Sequence, residues 1–226
     1  MPEGWNLLGF FREILPDLTK ATGETLLMVT LSTVLALLFG MPLGVALRVT
    51  DKGGVLPVPR LNRVLGALIN TVRSVPFIIL LVALIPVTRM LLGTSIGSGA
   101  ATVGLTVAAT PFLARLAEGN LREVDSGVIE AAQSMGATPL QIVTRVLLPE
   151  ALPGLVLSLT VLVVNLIAFS AMAGAVGGGG LGQLAINYGY YRFRGDVMVS
   201  TIVLLVAIVQ MVQYVGDRAA RALTKK

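Results

Sequence analysis

The side chains available for chemistry in these 226 residues are carboxylates, ammoniums, guanidiniums, hydroxyls and amides, because neither cysteine nor histidine occurs. Their absence removes thiol nucleophiles, disulfides and imidazole metal ligands together. No G-x4-G-K-[ST] string is present and no glycine is followed directly by lysine, so the chain carries no phosphate-binding loop of its own. The polar groups that do cluster lie in residues 117–149, where Glu118, Arg122, Glu123, Asp125 and Glu130 lead into EAAQSMGATPLQIVTRVLLP, residues 130–149. Ala131, Ala132, Gln133 and Met135 favour helix, and Gly136 ends or kinks it. Thr138 is placed to cap a second short helix, with Pro139 at its first position and Gln141 at its third. Leu140, Ile142, Val143, Val146 and Leu147 continue at helical spacing, and Pro149 and Pro153 mark the entry to the apolar span that follows. The spacing predicts helix, break, helix. Two roles fit that shape. One is a tight elbow that carries force from a soluble domain, with Ala131, Ala132, Gly136 and Ala137 small enough for another surface to approach closely. The other is an amphipathic connector lying on lipid.

The elements that must position this stretch are apolar. Hydrophobic residues make up 55% of the chain and charged residues 13%, against about 25% charged in a soluble domain. The mean hydropathy of +0.86 agrees. The apolar residues gather into blocks near the ~20 residues that cross a ~30 Å hydrocarbon core. Five such blocks are read: residues 25–47, 75–92, 100–116, 155–176 and 197–215. The expected fold is therefore all-α, a polytopic transmembrane helical bundle of about five spans. Pro76, Pro86, Arg89 and Pro111 interrupt the second and third blocks. Four spans with a re-entrant element is the alternative, since broken segments occur at membrane depth where protein surrounds them.

Residues 1–20 contain Glu3, Arg12, Glu13, Asp17 and Lys20 without the basic start, apolar core and small-residue site of a secretory signal peptide. They read as a short amphipathic lead-in, with Trp5, Phe10 and Phe11 suited to the interface. The net charge of +5 does not form a nucleic-acid face, because the basic residues sit in links and tail. Arg48, Lys52, Arg60 and Arg63 follow the first block; Arg115, Arg122 and Arg145 follow the third; Arg218, Arg221, Lys225 and Lys226 end the chain. Fewer basic residues fall on the opposite side: Arg12, Lys20, Arg89, Arg192 and Arg194. Lys and Arg accumulate on the cytoplasmic side. The expected topology thus has the N-terminus outside, the C-terminus inside, and residues 117–149 facing the cytoplasm.

Other polar and special residues invite two readings each. Asn165, Ser170 and Met172 lie in the fourth block, where polar groups line a wet cavity or pack helix against helix. GAVGGGGLG, residues 174–182, permits either a sharp turn with close packing or a flexible outer loop. Leu181, Leu184, Ile186 and the tyrosines that follow favour docking of that segment. Arg73 either snorkels to the inner interface or joins an ion pair assisted by Asn70, and Thr88 and Arg89 are candidates for an outer contact.

The string E-A-A-x3-G-x9-hydrophobic-x-L-P resembles the signature loop of ABC-importer permeases, with Glu130, Ala131, Ala132, Gly136, Leu148 and Pro149 at its fixed positions. Val146 stands where that family usually has isoleucine. NTVRSVPFIILLVALIPVTRMLLGTSIG (70–97), TPFLARLAEGNLREV (110–124), FSAMAGAVGGGGLGQLAINYGYYRF (169–193) and DRAARALTKK (217–226) resemble the methionine-importer branch, and the likeness covers nearly everything from Ala21 onward. The resemblance implies a type I ABC-importer permease fold in a single transmembrane domain, residues 1–226. It implies that residues 117–149 hold a coupling helix, with Glu130, Ala131, Ala132, Gly136, Ala137, Thr138, Pro139, Leu148 and Pro149 docking on a cytoplasmic ATPase. It implies a pathway near a dimer axis lined by Met172, Ser170 and Asn165, with Met172 as the constriction. Implied partners are a second copy, an ABC ATPase dimer carrying ATP-Mg, an external substrate-binding protein and the lipid of a bacterial inner membrane. No cofactor, metal or nucleic acid is expected on this chain, and no catalysis.

The alternatives are an ABC permease for another amino acid or small polar nutrient, and a stand-alone secondary transporter. Ion coupling needs ionisable residues within spans. Spans one, three, four and five carry none in their cores apart from Arg115 at an edge. A membrane-embedded enzyme lacks His, Cys and paired intramembrane carboxylates to work with.

Overall fold

The computed structural model describes residues 7–224, with side-chain surroundings given from residue 13. Every regular element among them is helical: α1 (Leu7–Thr50), α2 (Pro59–Arg73), α3 (Phe77–Ala83), α4 (Ile85–Leu92), α5 (Ser98–Arg122), α6 (Ser126–Ser134), α7 (Pro139–Ile142), α8 (Leu148–Gly174), α9 (Gly180–Leu184) and α10 (Gly195–Leu223), with π-helical turns at Val143–Leu147 and Ala185–Tyr190. Four stretches are long and apolar enough to cross a membrane: Glu13–Thr50, Ser98–Arg122, Pro139–Gly174 and Gly195–Leu223. A fifth arises if α2 and α3, bent by 97°, count as one span.

That bend falls where the second apolar block was expected. Pro76 stands between α2 and α3, and the residue before a proline is pushed out of the helical region. Pro86 then removes a donor within two residues of the start of α4, so residues 75–92 form two short helices instead of one rod. In the fourth block the prolines act differently. Pro149 has no N–H, and the chain answers with the π turn, in which the Leu148 N–H bonds to the Val143 oxygen. Helical structure therefore runs from Pro139 through Gly174, with Pro149 and Pro153 inside it.

From Leu7 onward the expected lead-in is continuous with α1. Trp5 and the side chains of Phe10 and Phe11 lie outside the described residues. Ile14, Leu18 and Ala21 are buried together with Leu181, Leu184 and Val197. The reason is spacing: positions 14, 18 and 21 form an apolar stripe at the i, i+4, i+7 helical repeat.

The chain forms two compact units. One comprises the residues up to Ser32, Phe77–Leu105 and Leu166–Gln210. Its core is the Ile14 cluster just named, with Tyr188, Leu204, Leu205 and Ile208 around it. Elsewhere in the same unit Phe77 and Phe169 stack with ring centroids 4.5 Å apart and planes 5° from parallel. Arg194, ahead of α10, donates to Asp196 at 2.8 Å and Glu13 at 3.2 Å. The Asp196 hydrogen bond is the main reason that its guanidinium is held above the ordinary arginine range, against some desolvation.

The other unit comprises Thr33–Pro76, Thr106–Asn165 and the chain from Met211. Here α1 meets α5 backbone to backbone. A Cβ at Gly40 would stand 2.7 Å from the Thr110 oxygen, and one at Gly44 would stand 2.7 Å from both the Ala114 oxygen and the Ala117 Cβ. Gly40 and Gly44 are four apart, the small-xxx-small spacing that lets membrane helices approach. The open carbonyls at the end of α1 are met locally. Asn62 Nδ2 donates to the Leu47 oxygen at 2.6 Å, and the Leu56 N–H donates to the Val49 oxygen at 3.1 Å.

Candidate functional site

The elbow is built from caps. Asp125 accepts the Gly127 N–H at 2.6 Å and opens α6. At the other end the Ala137 N–H returns to the Ala132 oxygen at 3.1 Å and the Gly136 N–H to the Gln133 oxygen at 2.9 Å. This is the paired Schellman closure, which needs a left-handed residue at its centre. Gly136 supplies it with φ +79°. Two residues later Thr138 and Gln141 exchange hydrogen bonds, 2.8 Å from the Thr138 N–H to Oε1 and 3.4 Å from the Gln141 N–H to Oγ1, and Pro139 sits in the first turn. The capping box predicted from the spacing is therefore present.

Packing decides which elbow residues face outward. Ile129 and Ala132 are buried with Ala117, Leu121, Ile142, Leu147, Ala151 and Leu155. Ala137 and Leu148 are half-buried against that cluster. Of the small residues expected to receive another surface, Ala131 and Gly136 are exposed, while Ala132 serves the elbow's own core. The i, i+3 relation of Ile129 and Ala132 turns both inward. Glu130, Thr138 and Pro149 are exposed and Pro139 is half-buried. The sequence reading missed the two largest exposed groups at the break: Met135 is 82% exposed and Leu140 is 72% exposed. Leu140 had been counted with an apolar stripe, but it lies in the first turn after the cap and points away from the core that Ile142 joins.

Beside the elbow lies a charged cluster that was read only as the polar start of a link. Helix α5 runs on to Arg122, and the Glu118 side chain is 4% exposed. A buried carboxylate must be paired. Arg115 Nη1 reaches Glu118 at 2.6 Å, and Arg122 Nη2 reaches it at 2.8 Å while also holding Asp51 at 2.8 Å. Arg115 further donates to the Gly66 oxygen at 3.0 Å and to Asn70 Oδ1 at 3.2 Å. Asn70 thus serves Arg115, not Arg73, and the Arg73 guanidinium stands 6.0 Å from the Phe112 ring centroid. Positions 115, 118 and 122 follow the i, i+3, i+7 rule on one helix face, a signal that was available in the sequence.

The proposed pathway residues separate. Met172 is 42% exposed. Asn165 is half-buried and donates to the Val161 oxygen at 2.8 Å. Ser170 is 1% exposed, with its hydroxyl on the Ile167 oxygen at 2.7 Å. Two residues on a helix differ by about 200°, so Ser170 and Met172 cannot share a face. Ser170 packs inside its own unit. Of the two candidates for an outer contact in α4, Thr88 is buried and bonded to the Ile85 oxygen at 2.9 Å, and Arg89 is exposed. The glycine segment takes the turning form, and Leu181 and Leu184 are buried as expected of a docked helix.

Comparison with known proteins places this geometry. Residues 36–226 match the family described as binding-protein-dependent transport system inner membrane component. A probable D-methionine transport system permease protein MetI of Vibrio cholerae is 53% identical over 204 residues, which span 90% of this chain and 91% of that one. The D-methionine transport system permease protein MetI of Escherichia coli K12 is 50% identical over 209 residues, 92% of this chain and 96% of that one. Among solved structures, a native crystal form of the MetNI methionine ABC transporter in an inward-facing conformation matches with TM-score 0.93 and 49% identity, covering 94% of this chain and 99% of that chain. The fold is thus the all-α ABC-importer permease fold expected, and this chain belongs to the family of binding-protein-dependent transport system inner membrane components.

Proposed function

We propose that this chain is the membrane-spanning subunit of an ATP-driven methionine importer and that it moves substrate by alternating access. The observation that carries the substrate is identity near one half to D-methionine permeases over nine-tenths of the chain. The chain is a transport subunit, and ATP hydrolysis belongs to a separate ATPase. In this reading the whole chain acts as one permease domain in an inner membrane, and two copies enclose the pathway. Two ATPase subunits carrying ATP-Mg lie on the cytoplasmic side, and an external binding protein delivers methionine. The N-terminus is outside and the C-terminus inside, as the Lys and Arg distribution favours.

The elbow of α6, Gly136 and α7 takes the ATPase contact. Its support is physical. The inward face is a buried apolar cluster that ties it to α5 and α8, and the outward face offers Glu130, Ala131, Met135 and Leu140. A rigid, doubly capped element transmits displacement where a floppy connector absorbs it. Met172 lines the pathway with Asn165 toward it, and Ser170 supports α8 from within.

The test is uptake. The chain is co-expressed with its ATPase, purified as a complex and reconstituted in vesicles with the external binding protein. ATP-dependent accumulation of radiolabelled D- or L-methionine is the expected result. ATP-dependent uptake of another amino acid with none of methionine would transfer the reading to that nutrient. Hydrolysis of ATP by this chain alone would refute the separate-ATPase assignment.

A further inference from the structure

The glycine segment ends in a fastening to α1. The Gly180 N–H donates to Glu24 Oε2 at 2.8 Å, and the Leu181 N–H donates to Thr25 Oγ1 at 2.9 Å. The Gly179 N–H is taken by Gln183 Oε1 at 2.8 Å. These are N–H groups at the start of α9, which have no backbone partner within their own helix. The acceptors on Glu24 and Thr25 come from α1, 156 residues earlier. Thr25 is 1% exposed, so its hydroxyl has no water to exchange with. Gly180 has φ +74°, and a Cβ there would press on Thr25 Oγ1 and stand 2.9 Å from Met28 Cε.

The opposite side of α9 lies on the end of α8. A Cβ at Gly182 would overlap the Ala171 oxygen, and one at Gly174 would stand 2.6 Å from the Gly182 carbonyl carbon. Backbone thus meets backbone at both glycines. The start of α9 is held by α1 on one side and seats the last turn of α8 on the other, and Met172 projects from that turn.

We propose that Glu24 and Thr25 are positioning residues for transport: by fastening α9 to α1 they fix the last turn of α8 and with it the place of Met172. The inference rests on the permease reading above. A carboxylate accepting a backbone N–H, as Glu24 does from Gly180, forms a charge-assisted bond. Its loss leaves buried donors unpaired and frees the α9–α8 piece to shift. The pathway then closes poorly, and ATP is spent without net uptake.

The experiment compares variants of the full complex in vesicles, reading ATP hydrolysis and methionine uptake separately. Glu24→Leu and Thr25→Val each lower uptake per ATP by about tenfold, the factor expected for losing one strong hydrogen bond, while hydrolysis persists. Glu24→Gln and Thr25→Ser retain an acceptor oxygen and restore the ratio. A merely structural role would lower complex yield, hydrolysis and uptake together, and that result overturns the proposal. So does an unchanged ratio in Glu24→Leu and Thr25→Val, or a loss in Glu24→Gln as large as in Glu24→Leu. Should Glu24→Leu fail to insert, Thr25→Val with its serine rescue decides alone. Parental complex that takes up neither methionine nor another amino acid would instead refute the permease reading, before any variant is compared.

Discussion

Alanine at Gly136 separates the shape of the elbow from its contacts. The glycine has φ +79°, and a Cβ built on it meets nothing within 4 Å. The substitution therefore adds no clash and removes no side-chain contact. It adds only the cost of holding an L-residue in the left-handed region, about 1–2 kcal/mol. In the free elbow that cost is relieved by opening the Schellman closure, which releases the Ala132 and Gln133 oxygens to water. In the seated elbow it must be borne. The population of the competent shape then falls about 5- to 30-fold, since each 1.4 kcal/mol is tenfold. The assay is the ratio of uptake to ATP hydrolysis in the reconstituted complex, together with the amount of ATPase retained through purification. Both drop for Gly136→Ala. Asparagine tolerates the left-handed region better than other non-glycine residues, so Gly136→Asn gives a smaller loss. An alanine variant that couples normally, or an asparagine variant worse than alanine, would show that the positive φ is not what the elbow needs.

Other consequences follow from the same geometry. Arg115→Met leaves the buried Glu118 with Arg122 as its remaining ion-pair partner and takes the donor from the Gly66 oxygen, which costs about 1–3 kcal/mol; thermal unfolding in detergent reads it, and an unshifted midpoint refutes the pairing. Gly44→Ala drives a methyl against the Ala114 oxygen and Ala117 and costs about 1–3 kcal/mol by forcing α1 off α5, measured the same way. The double variant Met135→Ser, Leu140→Ser leaves folding intact because both groups are exposed, but lowers ATPase co-purification about tenfold if they are the apolar anchors of the contact. Cysteine at Met172, in a chain with no native cysteine, crosslinks two copies in at least one nucleotide state; no crosslink in any state argues against an axial constriction.

Much of the elbow was legible before any coordinates because its determinants are local. Gly136, Thr138, Pro139 and Gln141 act on backbone groups one to four residues away, so spacing alone fixes the outcome. The apolar blocks were legible for a similar reason: a bilayer of fixed thickness asks for a run of fixed length. Prolines were ambiguous, because what a missing N–H does depends on the neighbours that re-satisfy the freed carbonyl. Pro76 accompanies a 97° bend, while Pro149 is absorbed by a π turn in a continuous span. That Ser170 and Met172 oppose one another follows from their spacing, but which of them turns inward was not legible, since a helix apolar on all sides gives no amphipathic direction.

Residue types and their local spacing thus determined that this chain is helical, spans a membrane and carries a capped elbow, because each rests on interactions within a few residues or on bulk partition into lipid. Only the tertiary structure decided that Glu118 is buried between two arginines, that Gly44 is a helix contact and that Glu24 closes the start of α9. Those depend on which surfaces meet across up to 156 residues of chain, and one-dimensional periodicity carries no record of that pairing.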